Sequence, residues 1–377
     1  MLLFWVVLCA ACVAAPASAL ERVTFKRDGK SQHVDGKIVV EAADGGLLLQ
    51  DQKGVLWAVM PEEIVSRESD AIPFRPLNER QTSESLLKEF SNGFRIHKTA
   101  HYLLCYNTSS AYAEWCGALF ERLYVAFRAY WKNQGFELGE PQGPLVALIF
   151  DGKTSYAKYA RQELGEATNS IIGYYSLRTN RVTGYDLTGI ERAGGTSRGT
   201  TAAHVNRLLS RPGAERTVAT IIHEATHQLA FNCGLQTRYA DIPLWVSEGI
   251  AVYFETPDLR SKRGWRNIGG VNRVRLVEFR RYISRRPEDS LETLLISDDR
   301  FRNARMANEA YAEAWALNYF LIHKHLDQYV AYMRLLSEKL PLRYDEPAER
   351  LAQFKQIFGA DLKQLDTEFL RYMRSVR

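Results

Sequence analysis

The sequence predicts an α+β protein with a small N-terminal β module, a mixed sheet and a mainly helical C-terminal part. Short apolar and β-branched runs, separated by Gly-containing turns, fill residues 20–66. Mixed strand and helix patterns begin at residue 84, and helical spacing dominates from about residue 256 to the end. The chain has 377 residues, of which 46% are hydrophobic and 25% charged. This composition is that of an ordinary globular protein with room for one large domain and one small one.

Residues 1–19 are mostly apolar and end in Ala17, Ser18 and Ala19, a pattern typical of a cleaved signal peptide. We therefore expect an exported protein, periplasmic or extracellular. No later run of 18 or more apolar residues occurs, so the sequence predicts no integral membrane segment. The net charge of +5 is spread over a long chain, and it gives no reason to expect a nucleic-acid partner.

The β module is expected to contain strands at residues 38–40, 47–49 and 55–59. Residues 67–83 contain two prolines and many polar side chains, which favours a linker. The large domain would then span residues 84–377.

The first half of the large domain should supply its sheet. We expect a strand pair within 95–107, a long amphipathic helix over 111–131 and a buried strand over 145–150. Residues 171–177 and 181–187 form a predicted hairpin around 178–180. Cys105 and Cys116 lie on adjacent predicted elements, and both a disulfide and two free thiols remain open for them.

A helix carrying His223-Glu224-Ala225-Thr226-His227 is the most informative feature of the chain. Histidines at i and i+4 project from one face of a helix, so both imidazoles can reach one metal ion. Glu224 stands beside the first histidine, where it can take a proton from a water molecule. The flanking residues have helical apolar spacing, with Val218, Ile221, Ile222 and Ala225 on one side.

Glu248 is the candidate third ligand. It lies in the middle of a second apolar helix, residues 244–254, where a charged side chain should be paired or bound to a metal. Two histidines and one carboxylate are the ligands of a catalytic zinc site that keeps its fourth position for water. Gly249 lowers helix stability, and we expect a neighbouring helix to approach closely there.

HEATH followed by WVSEG resembles the gluzincin metallopeptidases, and residues 84–377 are similar to a group of secreted bacterial proteins with a peptidase-MA-like domain. The matching stretches begin at Asn180 (NRVTGYDLTG), His223 (HEATHQLAFNCGL), Pro243 (PLWVSEGIAVYFE) and Tyr311 (YAEAWALNYFL). The resemblance implies a thermolysin-like catalytic domain that hydrolyses a peptide or protein substrate. It also implies that the hairpin at 171–187 holds substrate in an extended form; a purely structural hairpin is the alternative.

The resemblance implies Zn²⁺ held by His223, His227 and Glu248, with Glu224 as general base. It also makes Tyr311 the candidate for oxyanion stabilisation, with Tyr253 and Tyr319 as competitors. Thermolysin-like members carry an Asp four residues after the Glu ligand to orient a histidine, and this chain has Val252 there. Glu255 is the candidate replacement, two helical turns from Glu248.

Two other interpretations fit the sequence less well. A non-catalytic module could bind zinc and recognise a peptide or a cell-wall polymer without cleaving it. The intact Glu224 favours the enzyme, because zinc binding alone does not require this residue. Residues 195–199 also match the G-x-S-x-G pattern of serine hydrolases, but no apolar strand leads into them, as a nucleophile elbow requires.

Overall fold

The computed structural model describes residues 19–90, 93–188, 201–211, 214–256 and 268–377. It contains two compact units, Met1–Pro76 and Leu77–Arg377. The predicted α+β class is confirmed, with an N-terminal antiparallel sheet, a mixed sheet and a helical C-terminal part. Most of the predicted signal peptide and the G-x-S-x-G segment lie outside the described residues, so export stays a prediction.

The N-terminal unit is a five-stranded antiparallel sheet in the order β4-β3-β2-β1-β5. Its core is a small apolar cluster that includes Val23, Phe25 and Leu49. The strands are β1 Ala19–Arg27, β2 Lys30–Glu41, β3 Leu47–Asp51, β4 Leu56–Val59 and β5 Ile64–Pro73.

Residues 67–83, the predicted linker, are mostly regular in the structure. Strand β5 continues to Pro73 as a largely exposed edge strand, which explains its polar composition. Asn78 then caps helix α1, Glu79–Glu89, by accepting from the Gln81 N–H at 3.0 Å while the Gln81 side chain accepts from the Asn78 N–H. The polar residues therefore cap a helix and cover a sheet edge, and only the residues between the two elements are irregular.

The larger unit is built on a mixed sheet in the order β6-β7-β8-β10-β9. The three central strands are parallel, and the two outer strands run antiparallel to them. Its strands are β6 Arg95–Lys98, β7 Tyr102–Tyr106, β8 Leu145–Phe150, β9 Gly173–Tyr175 and β10 Arg181–Tyr185. The expected strand pair, buried strand and hairpin are all present.

Helices cover both faces of this sheet and form the C-terminal part. Within the described residues, no helix combines the length and the apolar character needed to cross a membrane. The helices after α1 are α2 Ser110–Asn133, α3 Lys153–Leu164, α4 Ala202–Leu209, α5 Glu215–Asn232, α6 Leu244–Phe254, α7 Arg273–Ile283, α8 Ser290–Ile296, α9 Asp299–Arg302, α10 Ala307–Lys324, α11 Leu326–Ser337, α12 Pro347–Phe358 and α13 Leu362–Ser375.

Strand β8 shows why the sheet is buried on both sides. Ala147 and Ile149 face the large core shared with α2 and α5, whereas Val146 and Leu148 face a smaller core. A strand covered on both faces needs a continuous apolar run, as LVALIF provides. The same division separates Cys105, in the smaller core, from Cys116, in the large one. Both are free and buried, as is Cys233, so the possible disulfide is absent.

Gly249 permits a close contact between helices α6 and α10. A Cβ atom at this position would lie 1.9 Å from Asn318 Nδ2 and 2.9 Å from the Ala314 carbonyl oxygen of α10. Asn318 is held in place, because its Nδ2 donates to the Trp245 carbonyl at 2.8 Å and to the Ala314 carbonyl at 2.7 Å. The predicted close approach is confirmed, and it fixes α6 against α10.

We expect Gly249→Ala to destabilise the protein, although alanine is the better helix former. Helix propensity alone would favour the substitution by about 1 kcal/mol. Overpacking and the loss of Asn318 hydrogen bonds should outweigh it, for a net loss of roughly 2–4 kcal/mol in the free energy of unfolding. Urea unfolding measures the effect, with Gly143→Ala as control, since a Cβ there has its nearest neighbour at 3.8 Å. An unchanged stability of Gly249→Ala would contradict this account.

Candidate metal centre

Helix α5 presents His223 and His227 on one face while it buries another. Val218, Ile222, Ala225 and Leu229 are all fully buried in the large core. The helix packs against α2, α6 and the β9–β10 hairpin. This packing fixes the rotation of α5 and therefore the direction in which both imidazoles point.

Helix α6 brings Glu248 to the same place. Nine of its eleven residues are buried, and Glu248 keeps a side chain that is 14% exposed. Its apolar neighbours anchor the helix in the core, and the carboxylate points toward the histidines of α5.

The three side chains converge on one point. His223 Nε2 lies 3.0 Å from Glu248 Oε2 and 3.1 Å from His227 Nε2, and His227 Nε2 lies 3.6 Å from Glu248 Oε1. Ligand atoms of a tetrahedral zinc, each about 2.0–2.1 Å from the metal, are roughly 3.3 Å from one another. Among the described residues, the His, Cys, Asp and Glu side chains whose donor atoms lie close enough together to hold a metal ion are His223, His227 and Glu248.

The hydrogen bonds around this group orient its donor atoms. His223 Nδ1 lies 2.7 Å from Glu255 Oε1, and Asn272 Nδ2 donates to the other oxygen of Glu255 at 3.4 Å. Such a bond places a proton on Nδ1 and leaves the Nε2 lone pair directed at the other ligands. The suggested role of Glu255 in orienting a histidine is thus supported by its contact. His227 Nδ1 similarly faces Ser247 Oγ, at 3.4 Å.

In the absence of a metal, Glu248 and Glu255 hold a proton on His223, and a bound cation would take the place of that proton. Burial acts to lower the pKa of His223, but hydrogen bonds to Glu248 and Glu255 outweigh burial and raise it well above its usual range. Burial acts to raise the pKa of Glu248, but the imidazoles of His227 and His223 hold it well below its usual range. Nitrogen and carboxylate donors that face one another in this way fit a divalent metal such as zinc.

If zinc is the metal, we expect Glu255→Ala to weaken its binding without removing the three candidate ligand side chains. Loss of a hydrogen bond that orients a ligating histidine raises the dissociation constant of the metal by about 10–100-fold. Competition with a chromophoric chelator measures this constant. Glu292→Ala, at an exposed position on α8, is the control and should leave it unchanged. Equal zinc affinity of Glu255→Ala and the parent protein would show that His223 needs no such support.

Glu224 lies outside the converging group and is held by the sheet. Its Oε2 accepts a hydrogen bond of 2.7 Å from the backbone N–H of Tyr175 in β9. Ser176 N–H bonds to the Arg181 carbonyl of β10, so the N–H of Tyr175 points away from β10, toward α5. Burial raises the pKa of Glu224, and the two neighbouring imidazoles oppose that shift. Its position beside three candidate metal ligands suits this carboxylate to accept and release a proton.

Tyr311 of α10 reaches the same centre from another side. The Glu248 carboxylate raises the pKa of its hydroxyl, with burial as the second cause and a hydrogen bond to Glu248 as a further one. The Tyr311 ring packs edge-on against Phe301, and the guanidinium of Arg275 lies 5.4 Å from its centroid. Tyr253 and Tyr319 instead belong to an aromatic cluster with His323.

Sequence reasoning missed three amide side chains that tie α5 to the hairpin. Asn180 and Asn232 exchange hydrogen bonds of 2.8 and 2.7 Å through their side chains, and Gln228 Nε2 donates to the Asn180 carbonyl at 2.9 Å. Asn180 has a φ of 61°, which asparagine tolerates better than most residues. Positions 224, 228 and 232 share one helix face, so their spacing was the available signal.

Comparison with known families identifies one similarity, and it covers this centre. A family model described as a protein of unknown function, DUF1570, matches residues 217–343. A comparison with curated proteins finds no match. The chain therefore contains a region similar to an uncharacterised family, and that region includes His223, His227, Glu248 and Tyr311.

Proposed function

We propose that this protein is a zinc-dependent metallopeptidase of the gluzincin type. The observation that carries the proposal is that three candidate metal ligands converge while a fourth polar side chain lies beside them without joining the group. His223, His227 and Glu248 converge within metal-binding distance, while Glu224 stands beside them and is held by the Tyr175 amide instead. A purely structural zinc site would more often use four protein ligands and be rich in cysteine.

The residues of the site have distinct parts in hydrolysis. His223, His227 and Glu248 hold the metal, and Glu255 orients the His223 ring. When bound, zinc supplies a Lewis acid that lowers the pKa of a bound water and polarises a carbonyl group. Glu224 accepts a proton at its carboxylate and returns it to the leaving amine. The hydroxyl of Tyr311 donates a hydrogen bond to the oxygen that becomes negatively charged.

The edge of the mixed sheet supports an extended peptide as substrate. In the described residues, β9 pairs with β10 on one side only. The unpaired edge of β9 faces Glu224, because the backbone N–H of Tyr175 on that edge donates to the Glu224 carboxylate. A peptide that lies along this edge in extended form would run past the general base.

Digestion of a mixed peptide library tests the proposal. The chain reconstituted with zinc should cleave peptides, and a chelator should stop cleavage until zinc is restored. The library should also show which bond is cut, which distinguishes endopeptidase from exopeptidase activity. A protein that binds zinc tightly but leaves every peptide intact would be the non-catalytic binding module, and the proposed activity would be wrong.

A further inference from the structure

An apolar cavity of about 30 Å³ lies beside Glu224, under the mixed sheet. One wall is the face of β8 and β10, another is α2, and the third is the part of α5 just before the metal ligands. Cys116 and Phe120 reach it from α2, Ile149 from β8 and Ile221 from α5. Its exposed surface is almost wholly apolar, and Glu224 is the acidic group that borders it.

Two glycines on neighbouring strands border this space. A Cβ on Gly173 would lie 3.1 Å from the Thr183 carbonyl oxygen, so the open space lies at Gly184. Gly173 of β9 pairs directly with Gly184 of β10. Side chains alternate along a strand, so Gly184 lies on the same face as Val182, which belongs to the core shared with α5. At these two positions the sheet presents only backbone to the gap between it and α5.

Neither backbone conformation nor close packing requires Gly184 to be glycine. Gly184 is not among the residues with positive φ, and a Cβ built on it would have its nearest neighbour, the Ile172 carbonyl oxygen, at 3.6 Å. Glycine weakens a strand interior and often marks a point where a ligand approaches the backbone. The missing side chain leaves room for a ligand group in the cavity.

We propose that this glycine cavity binds a short apolar side chain of the substrate, next to the bond that is cleaved. The inference rests on the proposed peptidase function and adds the class of residue that the enzyme prefers. Apolar walls gain free energy when they exclude water around an apolar group. The small volume suits the side chain of Ala better than that of Leu, and it excludes an aromatic ring. Because the cavity lies beside Glu224, the substrate residue whose side chain enters it would be adjacent to the scissile bond.

Two substitutions that change the cavity in opposite directions test the proposal. Peptides that differ only in one residue flanking the cleaved bond, Gly, Ala or Leu, are compared by kcat/KM. The parent enzyme should prefer Ala to Gly by roughly tenfold, the usual value for one methyl group in a fitted pocket. Gly184→Ala should fill the cavity and abolish this preference, with Gly184→Val as a second variant of the same kind. Ile221→Ala should enlarge it and raise the rate for Leu relative to Ala by about tenfold.

Gly139→Ala is the matched control, because a Cβ there has one neighbour at 3.8 Å, well away from the cavity. It should leave all three rates unchanged. Zinc content is measured for every variant, so that loss of metal is separated from a change in preference.

A binding experiment tests the proposed role of the cavity independently of the proposed peptidase activity. Calorimetry compares hydroxamates of acetylated Gly, Ala and Leu, which bind zinc without being cleaved. A preference for Ala that Gly184→Ala removes would support the cavity even if no peptide were cleaved. Peptide cleavage with the same ratios of kcat/KM among Gly, Ala and Leu in the parent and the variants would contradict the proposed role of the cavity but not the proposed peptidase activity. Absence of an Ala preference in both experiments would also contradict the proposed role of the cavity.

Discussion

Replacing Glu224 by glutamine (E224Q) is expected to lower kcat by about 10²–10⁴-fold while leaving zinc bound. An amide cannot accept the proton that a carboxylate accepts, so the hydrolytic step loses its base. The metal should remain because the convergence of His223, His227 and Glu248 does not include this side chain. Glutamine also keeps an oxygen that can accept from the Tyr175 N–H, which preserves the contact between α5 and β9.

Peptide cleavage and zinc content must be measured on the same E224Q preparation. E163Q is a suitable control, because Glu163 bonds to Ser176 Oγ at 2.7 Å beside β9 but lies outside the metal centre. The control should keep both zinc and activity. Cleavage by E224Q at the parent rate would remove Glu224 from the mechanism, and loss of zinc would show that the residue is a ligand or its support.

A second large effect is expected on stability when Glu313 of α10 is replaced by alanine. Glu313 is fully buried and accepts from Arg286 at 2.6 Å and from Arg300 at 2.7 Å. Ser290 Oγ donates to the same carboxylate at 2.8 Å. Removing one partner of a buried ion pair leaves uncompensated charge in the protein interior, which typically costs about 3–5 kcal/mol. We expect Glu313→Ala to lower the free energy of unfolding in urea by that amount.

Glu309 supplies the control on the same helix. Its carboxylate pairs with Arg285, whose side chain is 62% exposed, and such surface pairs contribute at most about 1 kcal/mol. Glu309→Ala should therefore change stability little. If Glu313→Ala were no less stable than Glu309→Ala, the buried ion pairs would not be what fixes α10. Tyr311 lies between these two positions, so the same packing places its hydroxyl near Glu248.

Features that repeat along the chain could be predicted from the sequence. The spacing of His223 and His227 identifies a helix face without any tertiary information. The continuous apolar run of β8 and the two short runs that flank the turn of the hairpin likewise depend on neighbours in sequence. Glu255 could be suggested because it follows Glu248 by two helical turns, and the structure places it 2.7 Å from His223 Nδ1.

Contacts between distant segments could not be predicted in the same way. The N–H of Tyr175 carries no sequence signal, since every residue but proline has one, and only the register of β9 aims it at Glu224. Glu313 and Arg300 are charged and suggest an exposed surface, yet they neutralise each other in the core. Residues 67–83 suggested a linker because a polar edge strand and a helix cap have the same composition as a loop.

Zinc stoichiometry and affinity of the purified chain test the central claim most directly. After reconstitution and removal of loosely bound metal, the parent protein should retain one zinc per chain. His227→Ala and Glu248→Ala, from the two different helices, should each lose it or bind it at least about 100-fold more weakly. A parent chain that retains no zinc, or variants that bind it as tightly as the parent, would contradict the account.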